Sequence, residues 1–384
     1  MQAKVFRALG TRKLTKIQYF NQSSSLSKEE VYYSRSSPFI VRYFENGHLV
    51  NESFLSKNGY CYLKQEINPK TGRYSGFWSW GVDGEVKFYK SIWDWRRDFV
   101  RDVVCAKSTE NILLCDGNNV PPQFLRMRNE RFRVFAVIHM NHRGTNDKLR
   151  KHYAAYFDRL GEFDGVICLT EEQAQELRRE FSVNDSLFVV PNRIASLDRS
   201  VVMAEQRIYD ATVISRLETG KGVEDAVDAF KFVVDRLPSA QLSIFGSGSE
   251  RERIEKAVIR NGLRDNVTLR GVTSAPMLEM SRSKVFMFTS ESEGFGLTIA
   301  EAMSSGAPVV AFDCKYGPAS LISNGMNGFL VQGRSNFELA DNVVRLLDDD
   351  LMRSEFSHKS MEWFDNNLSD SAIMQRWNLA FNLK

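Results

Sequence analysis

The chain has 384 residues, of which 43% are hydrophobic and 26% charged, with a net charge of +3. That length exceeds one ordinary core and fits two domains with room for an inserted module, and the composition excludes a disordered or fibrous chain. Its five scattered cysteines include no Cys-x-x-Cys pair, which points away from a disulfide framework or a zinc site, and no run approaches the roughly 20 apolar residues that span a bilayer.

The opening stretch MQAKVFRALGTRKLTK has no apolar signal core, so the protein is expected in the cytoplasm. Residues 38–90 carry short alternating apolar runs separated by Asn46-Gly47, Asn58-Gly59 and Asp83-Gly84, which are hairpin signals. They predict an antiparallel meander of four or five strands, within a β-rich module over residues 1–90. Its aromatic residues either fill a small core or form an oligomer contact. From Ser91 the rhythm becomes helix, strand, helix: SIWDWRRDFVRDVV, then the strands NILLCD, FRVFAVIH and DGVICLT. These predict a Rossmann-like unit over residues 91–197. Its basic segment, residues 121–160, includes Arg126, Arg128 and Arg131; it either attracts a polyanion or an anionic membrane face, or is a solvated helix face.

The polar segment PNRIASLDRSVVMAEQ is the expected hinge. After it the alternation restarts with YDATVISRL, AQLSIFG, NVTLRG, KVFMFTS and APVVAF, a second Rossmann-like unit over residues 198–384. The expected fold is therefore α/β: two doubly wound domains facing a cleft, preceded by the β-rich module. Open α/β sheets bind ligands beyond the carboxyl ends of their strands, which places the active site in that cleft.

Three stretches carry candidate chemistry. In SESEGFGLTIAEAMSSGAPVVAF, residues 290–312, Glu293 lies in a strand-to-helix loop and Glu301 lies in the helix, with Gly294, Phe295, Gly296 and Leu297 between them. Glycines at a helix start let backbone amides approach an anion. In ISRLETGKGVEDAVDAF, Arg216 ends a strand and Lys221 precedes a helix, two cations able to converge on one pyrophosphate. FRVFAVIH ends in His139 at a strand's carboxyl end, with His142 three residues later as the weaker candidate. SIFGSGSE, with Gly246, and LRGVTSAP, with Val272 and Thr273, follow the next strands and are not diagnostic alone.

Together these stretches resemble the signature of glycosyltransferase family four. LLCDGNN, VIHMNHRG, FDGVICLTEEQAQEL and AFDCKYGPASLISNGMNGFLV are similar to the poly(glycerol-phosphate) alpha-glucosyltransferases of that family, which decorate wall teichoic acid and carry a β-rich insertion. The resemblance implies a GT-B fold, a UDP-sugar donor, transfer with retention and no cofactor or metal. It implies that Arg216 and Lys221 neutralise the departing UDP, Glu293 orients the sugar hydroxyls, Glu301 holds the ribose and His139 fixes the sugar. The 294–297 loop and Gly246 would line the donor, and Val272 and Thr273 would meet the uracil through their backbone. The acceptor would be an anionic polymer or a serine-rich surface protein, reached from the inner membrane face, with His142, Arg126, Arg128 and Arg131 on the acceptor side and homo-oligomer contacts through the β-rich region. No nucleic acid is expected among the partners.

The family also opens with a strand and a glycine-rich loop ahead of the β insertion, an element that residues 1–35 do not show. That difference favours a non-catalytic subunit assisting a partner transferase; the four residues Arg216, Lys221, Glu293 and Glu301 oppose it. A nucleotide-binding dehydrogenase is disfavoured, because neither sheet begins with Gly-x-Gly-x-x-Gly.

Overall fold

A computed structural model describes residues 2–7, 14–32, 37–81, 83–116, 121–129, 131–144, 147–181, 183, 185–204 and 206–382. The last three residues of LLCDGNN lie outside the described residues. The chain forms two compact units, Met1–Asn111 and Ile112–Lys384.

The first unit is one antiparallel sheet of eight strands in chain order: β1 (Gln2–Arg7), β2 (Leu14–Phe20), β3 (Leu26–Val31), β4 (Ile40–Glu45), β5 (His48–Leu55), β6 (Cys61–Ile67), β7 (Tyr74–Trp80) and β8 (Val86–Tyr89). The β4–β5 turn has positive φ at both Asn46 and Gly47, as a two-residue hairpin whose twist matches its strands requires. The meander read from residues 38–90 corresponds to β4–β8, and three more strands precede it. Those three lack a visible apolar alternation because polar cross-strand pairs hold them. Gln18 donates to Glu29 at 2.7 Å, and Arg42 donates to Glu29 at 2.9 Å and to Glu52 at 2.7 Å. The helix α1 (Ile92–Phe99), capped by Ser91 Oγ accepting from the Trp93 amide at 3.1 Å, packs on β7 and β8. This unit therefore runs beyond the expected boundary at residue 90.

The second unit holds two sheets. The first has the order β12-β11-β10-β9, made of β9 (Asn111–Asp116), β10 (Phe132–Ile138), β11 (Gly165–Cys168) and β12 (Leu187–Val189); β10, β11 and β12 run parallel. Its helices are α2 (Pro121–Phe124), α3 (Lys151–Phe157) and α4 (Glu171–Glu180). After α5 (Arg199–Ala204), the second sheet contains β13 (Tyr209–Ile214), β14 (Leu242–Phe245), β15 (Val267–Gly271), β16 (Ser283–Phe288), β17 (Val309–Phe312) and β18 (Gly328–Val331). Its order is β15-β14-β13-β16-β17-β18, all parallel. The intervening helices are α6 (Val223–Arg236), α7 (Arg251–Arg260), α8 (Pro276–Ser281), α9 (Leu297–Ser304) and α10 (Pro318–Leu321), followed by α11 (Asn336–Asp348), α12 (Asp350–Leu368) and α13 (Asp370–Phe381).

The alternation of β10 explains how the two sheets are joined. Val134, Ala136 and Ile138 point into a core built with Tyr156 and Phe157 of α3 and Leu177 of α4. Phe135 and Val137 point the other way, into a core shared with Phe286, Ile299, Phe364, Ile373 and Ala380. The last helix closes that face. The Phe381 carbonyl accepts from Arg133 at 2.7 Å, and the rings of Phe135 and Phe381 meet edge to face at 5.1 Å. Residues 370–381, grouped by sequence with the rear unit, thus pack on the first sheet.

Candidate functional site

The strand order of the second sheet reverses between β13 and β16, and their carboxyl ends diverge there to leave a crevice. A cavity of about 280 Å³ occupies it, bordered by Ser215 and Arg216 after β13, Thr289 and Ser290 after β16, and Lys221, Glu293, Leu297 and Thr298. Gly246 follows β14 and lies against the β13 end: a Cβ there would stand 1.8 Å from the Ser215 carbonyl oxygen. Its place is to let two strand ends pack closely, not to border the cavity.

Lys221 and Glu293 form an ion pair at 2.6 Å, each about four-fifths buried. Arg216 is exposed into the same cavity, and no carboxylate ion pair holds it among the described residues. The adjacent carboxylate, Glu218, is engaged by the Ser249 hydroxyl at 2.6 Å. One cation is thus matched and one is available, at the point where a phosphorylated ligand would meet the sheet. Glu301 lies one turn into α9, on the same helix face as Leu297, and burial raises its carboxyl pKa.

The 290–296 loop reaches the first sheet. A Cβ on Gly294 would stand 1.9 Å from the His139 carbonyl oxygen, so only glycine lets the loop touch the end of β10. Asn141 Nδ2 donates to Ser292 Oγ at 3.1 Å and to the Lys315 carbonyl at 3.2 Å. The His139 side chain is two-fifths exposed, with Nε2 3.3 Å from Asp116 at the end of β9.

The remaining expected site residues take the following places. Phe295 is 3% exposed and belongs to the shared core, while Gly296 is the left-handed residue that starts α9. Val272 is exposed and Thr273 Oγ1 accepts from the Ala275 amide at 3.0 Å; neither borders the cavity. His142 is fully buried, stacked on Tyr316 with ring centroids 5.8 Å apart, and burial lowers its pKa to about 4. It is a core histidine, because the chain turns inward after Met140. Arg128 pairs with Asp164 at 2.9 Å and Arg131 lies over the Phe132 ring, while Arg126 is exposed on the neighbouring turn. Arg131 directly precedes β10, and Arg128 is tied to Asp164 just ahead of β11, so both lie by the amino ends of these strands, whereas His139 follows the carboxyl end of β10.

Sequence reading missed Glu176, Lys315 and Tyr316. Glu176 accepts from the Tyr316 hydroxyl at 2.6 Å and is ion-paired with Lys315. The available signal was a carboxylate on the buried stripe of α4, where Gln173, Ala174, Glu176 and Leu177 are all buried. Among the described residues, no cluster of three or more metal-ligating side chains occurs and no helix is long and apolar enough to cross a membrane.

Residues 204–363 match the family model described as glycosyl transferases group 1. The chain is 27% identical over 375 residues to the poly(glycerol-phosphate) alpha-glucosyltransferase of Bacillus subtilis (strain 168), covering 95% of this chain and 55% of that protein. It is 28% identical over 332 residues to the poly(ribitol-phosphate) alpha-N-acetylglucosaminyltransferase of Staphylococcus aureus (strain COL), covering 86% of this chain and 66% of that one. It therefore spans between about half and two thirds of the lengths of these relatives. The crystal structure of S. aureus TarM in complex with Fondaparinux, alpha-GlcNAc-glycerol and UDP superposes with a TM-score of 0.82 at 24% identity, over 98% of this chain and 78% of that one. The architecture is the GT-B fold with an antiparallel β-rich module at its amino end.

Proposed function

We propose, from the premise that residues 204–363 belong to the glycosyl transferases group 1 family within a GT-B fold, that the protein transfers glucose or N-acetylglucosamine from a UDP-sugar to a poly(glycerol- or ribitol-phosphate) acceptor, with retention of configuration. The observation that carries this reading is the convergence of Arg216 and the Lys221–Glu293 pair on the crevice between β13 and β16.

Each part has a chemical task. The transfer breaks the bond between the anomeric carbon and the diphosphate, so negative charge grows on the leaving oxygen. Arg216 supplies a planar fork of donors and Lys221 a point charge, and both act on that charge in a half-enclosed site where water screens it less. Glu293, on the same loop and already hydrogen-bonded to Lys221, accepts from sugar hydroxyls and fixes the ring against the cations. Glu301, kept less acidic by burial, sits one helical turn further along and takes the ribose. The acceptor hydroxyl gives its proton to the departing phosphate, so the protein supplies no nucleophile. Charge neutralisation falls to the two cations, and we place no metal in the reaction.

The two halves meet where Gly294 touches His139, which sets the acceptor-side sheet against the donor loop. The test is a panel of UDP-glucose and UDP-N-acetylglucosamine with glycerol-phosphate and ribitol-phosphate oligomers, read by UDP release and product mass. Turnover with one donor and one acceptor is expected. The absence of UDP release with every pair, from a chain that binds UDP, would favour the non-catalytic subunit instead.

A further inference from the structure

Glu176 is a buried carboxylate that the transfer chemistry does not use. Its side chain is 8% exposed, and a carboxylate held from water without partners would be costly. Burial alone would raise its pKa, but the bonds from Lys315 and Tyr316 outweigh it and leave the group below the ordinary carboxylate range. Arg143 Nε stands 3.6 Å from the same carboxylate.

Lys315 and Tyr316 belong to the loop after β17, and their backbone grips the donor carboxylate's own residue. The Glu293 amide donates to the Lys315 carbonyl at 3.0 Å, and the Tyr316 amide donates to the Glu293 carbonyl at 2.7 Å. The side chains of this dipeptide are therefore held by a helix of the first sheet, while its backbone holds Glu293. The Tyr316 ring is fixed from the same side by its stack on His142, and the Lys315 carbonyl also accepts from Asn141. Glu176, His142 and Asn141 all lie on the first-sheet side, so the backbone of Glu293 is braced from the first half while Lys221 of the second half holds its side chain.

We propose that Glu176 is a positioning residue for the transfer: by clamping Lys315 and Tyr316 from α4, it sets the place of Glu293 and couples the approach of the two halves to assembly of the donor site. This rests on the reading of Glu293 as the group that orients the sugar. A displacement of about 1 Å in an orienting group costs on the order of 100-fold in rate, whereas Arg216 and Lys221 keep their hold on the diphosphate.

The experiment measures kcat with UDP-glucose and UDP-N-acetylglucosamine, and Kd for UDP, in Glu176→Ala, Glu176→Gln, Glu293→Gln and the double variant Glu176→Ala with Glu293→Gln. Glu176→Ala is expected to lower kcat about 100-fold with the Kd for UDP within about twofold. Glu176→Gln, which still accepts from Tyr316, should recover about tenfold of that. In the Glu293→Gln background, Glu176→Ala should cost less than about twofold more, because both changes remove one function. A Kd for UDP that weakens in step with kcat, or losses that multiply in the double variant, overturns the proposal. Wild-type kcat in Glu293→Gln alone would instead overturn the reading of Glu293. Should Glu176→Ala not fold, Tyr316→Phe keeps the ring stack, removes one bond to Glu176 and carries the same comparison.

Discussion

Lys221 Nζ lies 2.6 Å from Glu293 Oε1, so a cation from the loop before α6 and a carboxylate from the loop before α9 already share a hydrogen bond across the switch point of the second sheet. The pair keeps each partner's charge balanced in a largely buried place, and it would present the remaining ammonium protons to an incoming diphosphate. Lys221→Ala leaves Glu293 as an uncompensated anion facing that diphosphate. Affinity for UDP should fall by about 10- to 150-fold, the equivalent of 1.5 to 3 kcal/mol for a charged hydrogen bond. Glu293→Gln should leave UDP affinity equal or tighter while lowering transfer. Titration calorimetry with UDP, beside initial rates, separates the two effects; equal losses of affinity in both variants would sink the assignment.

Arg216 is exposed in the same cavity and carries no ion pair with a carboxylate among the described residues, so its removal should cost the fold little. Arg216→Ala is expected to lower transfer at least about 100-fold with the thermal midpoint unchanged. Arg216→Lys should recover only part, because a point charge cannot reproduce a planar fork on phosphate oxygens. A thermal scan next to the rate assay checks both; a Lys variant as active as the parent would show that charge alone matters there.

The rear half was legible because its strands are short apolar runs, and because Arg216, Lys221 and Glu293 lie in the loops that follow such runs, where a parallel sheet delivers its ligand-facing loops. The first three strands were not legible, since charge pairs such as Arg42 with Glu29 replace the apolar alternation that betrays a strand. His142 misled for a related reason. It follows His139 by three residues as the weaker candidate, but β10 ends at Ile138 and the following turn buries the ring. For Glu176 the sequence offers only its place on the buried stripe of α4; its partners Lys315 and Tyr316 are 139 and 140 residues away and only tertiary packing brings them to it.

Gly294 offers a test of how closely the two halves must approach. An alanine there would place its methyl 1.9 Å from the His139 carbonyl oxygen, a backbone atom that cannot rotate away. Gly294→Ala should force the loop and the end of β10 apart, at a cost of about 1 to 3 kcal/mol. The expected result is a lower thermal midpoint with transfer reduced more steeply than UDP affinity, since the residues proposed to hold the diphosphate, Arg216 and Lys221, both belong to the second sheet. A variant with parental stability and rate would show that the loop relaxes freely.

His142 gives the protein an acid sensitivity whose sign can be worked out. Burial holds its pKa near 4, from an ordinary 6.5, so the folded ring stays neutral while the unfolded ring takes up a proton as the pH falls below about 6.5. The unfolded state binds more protons throughout that interval, so stability must decline from pH 6.5 to about pH 4 and level off below it. The shift corresponds to a loss on the order of 3 kcal/mol. The ring's Nδ1 meets Gln173 Nε2 at 3.3 Å and its Nε2 has no partner among the described residues, so a phenyl ring in its place keeps the stack on Tyr316 and gives up one weak hydrogen bond. His142→Phe should therefore flatten the decline between pH 6.5 and 4. Glu176, whose pKa is lowered from the ordinary 4.5, adds its own loss as the pH falls below about that value, so its window meets that of His142 only at the acid end. Urea unfolding at half-unit pH steps measures the slope, and an unchanged slope in His142→Phe would assign the acid sensitivity to other groups.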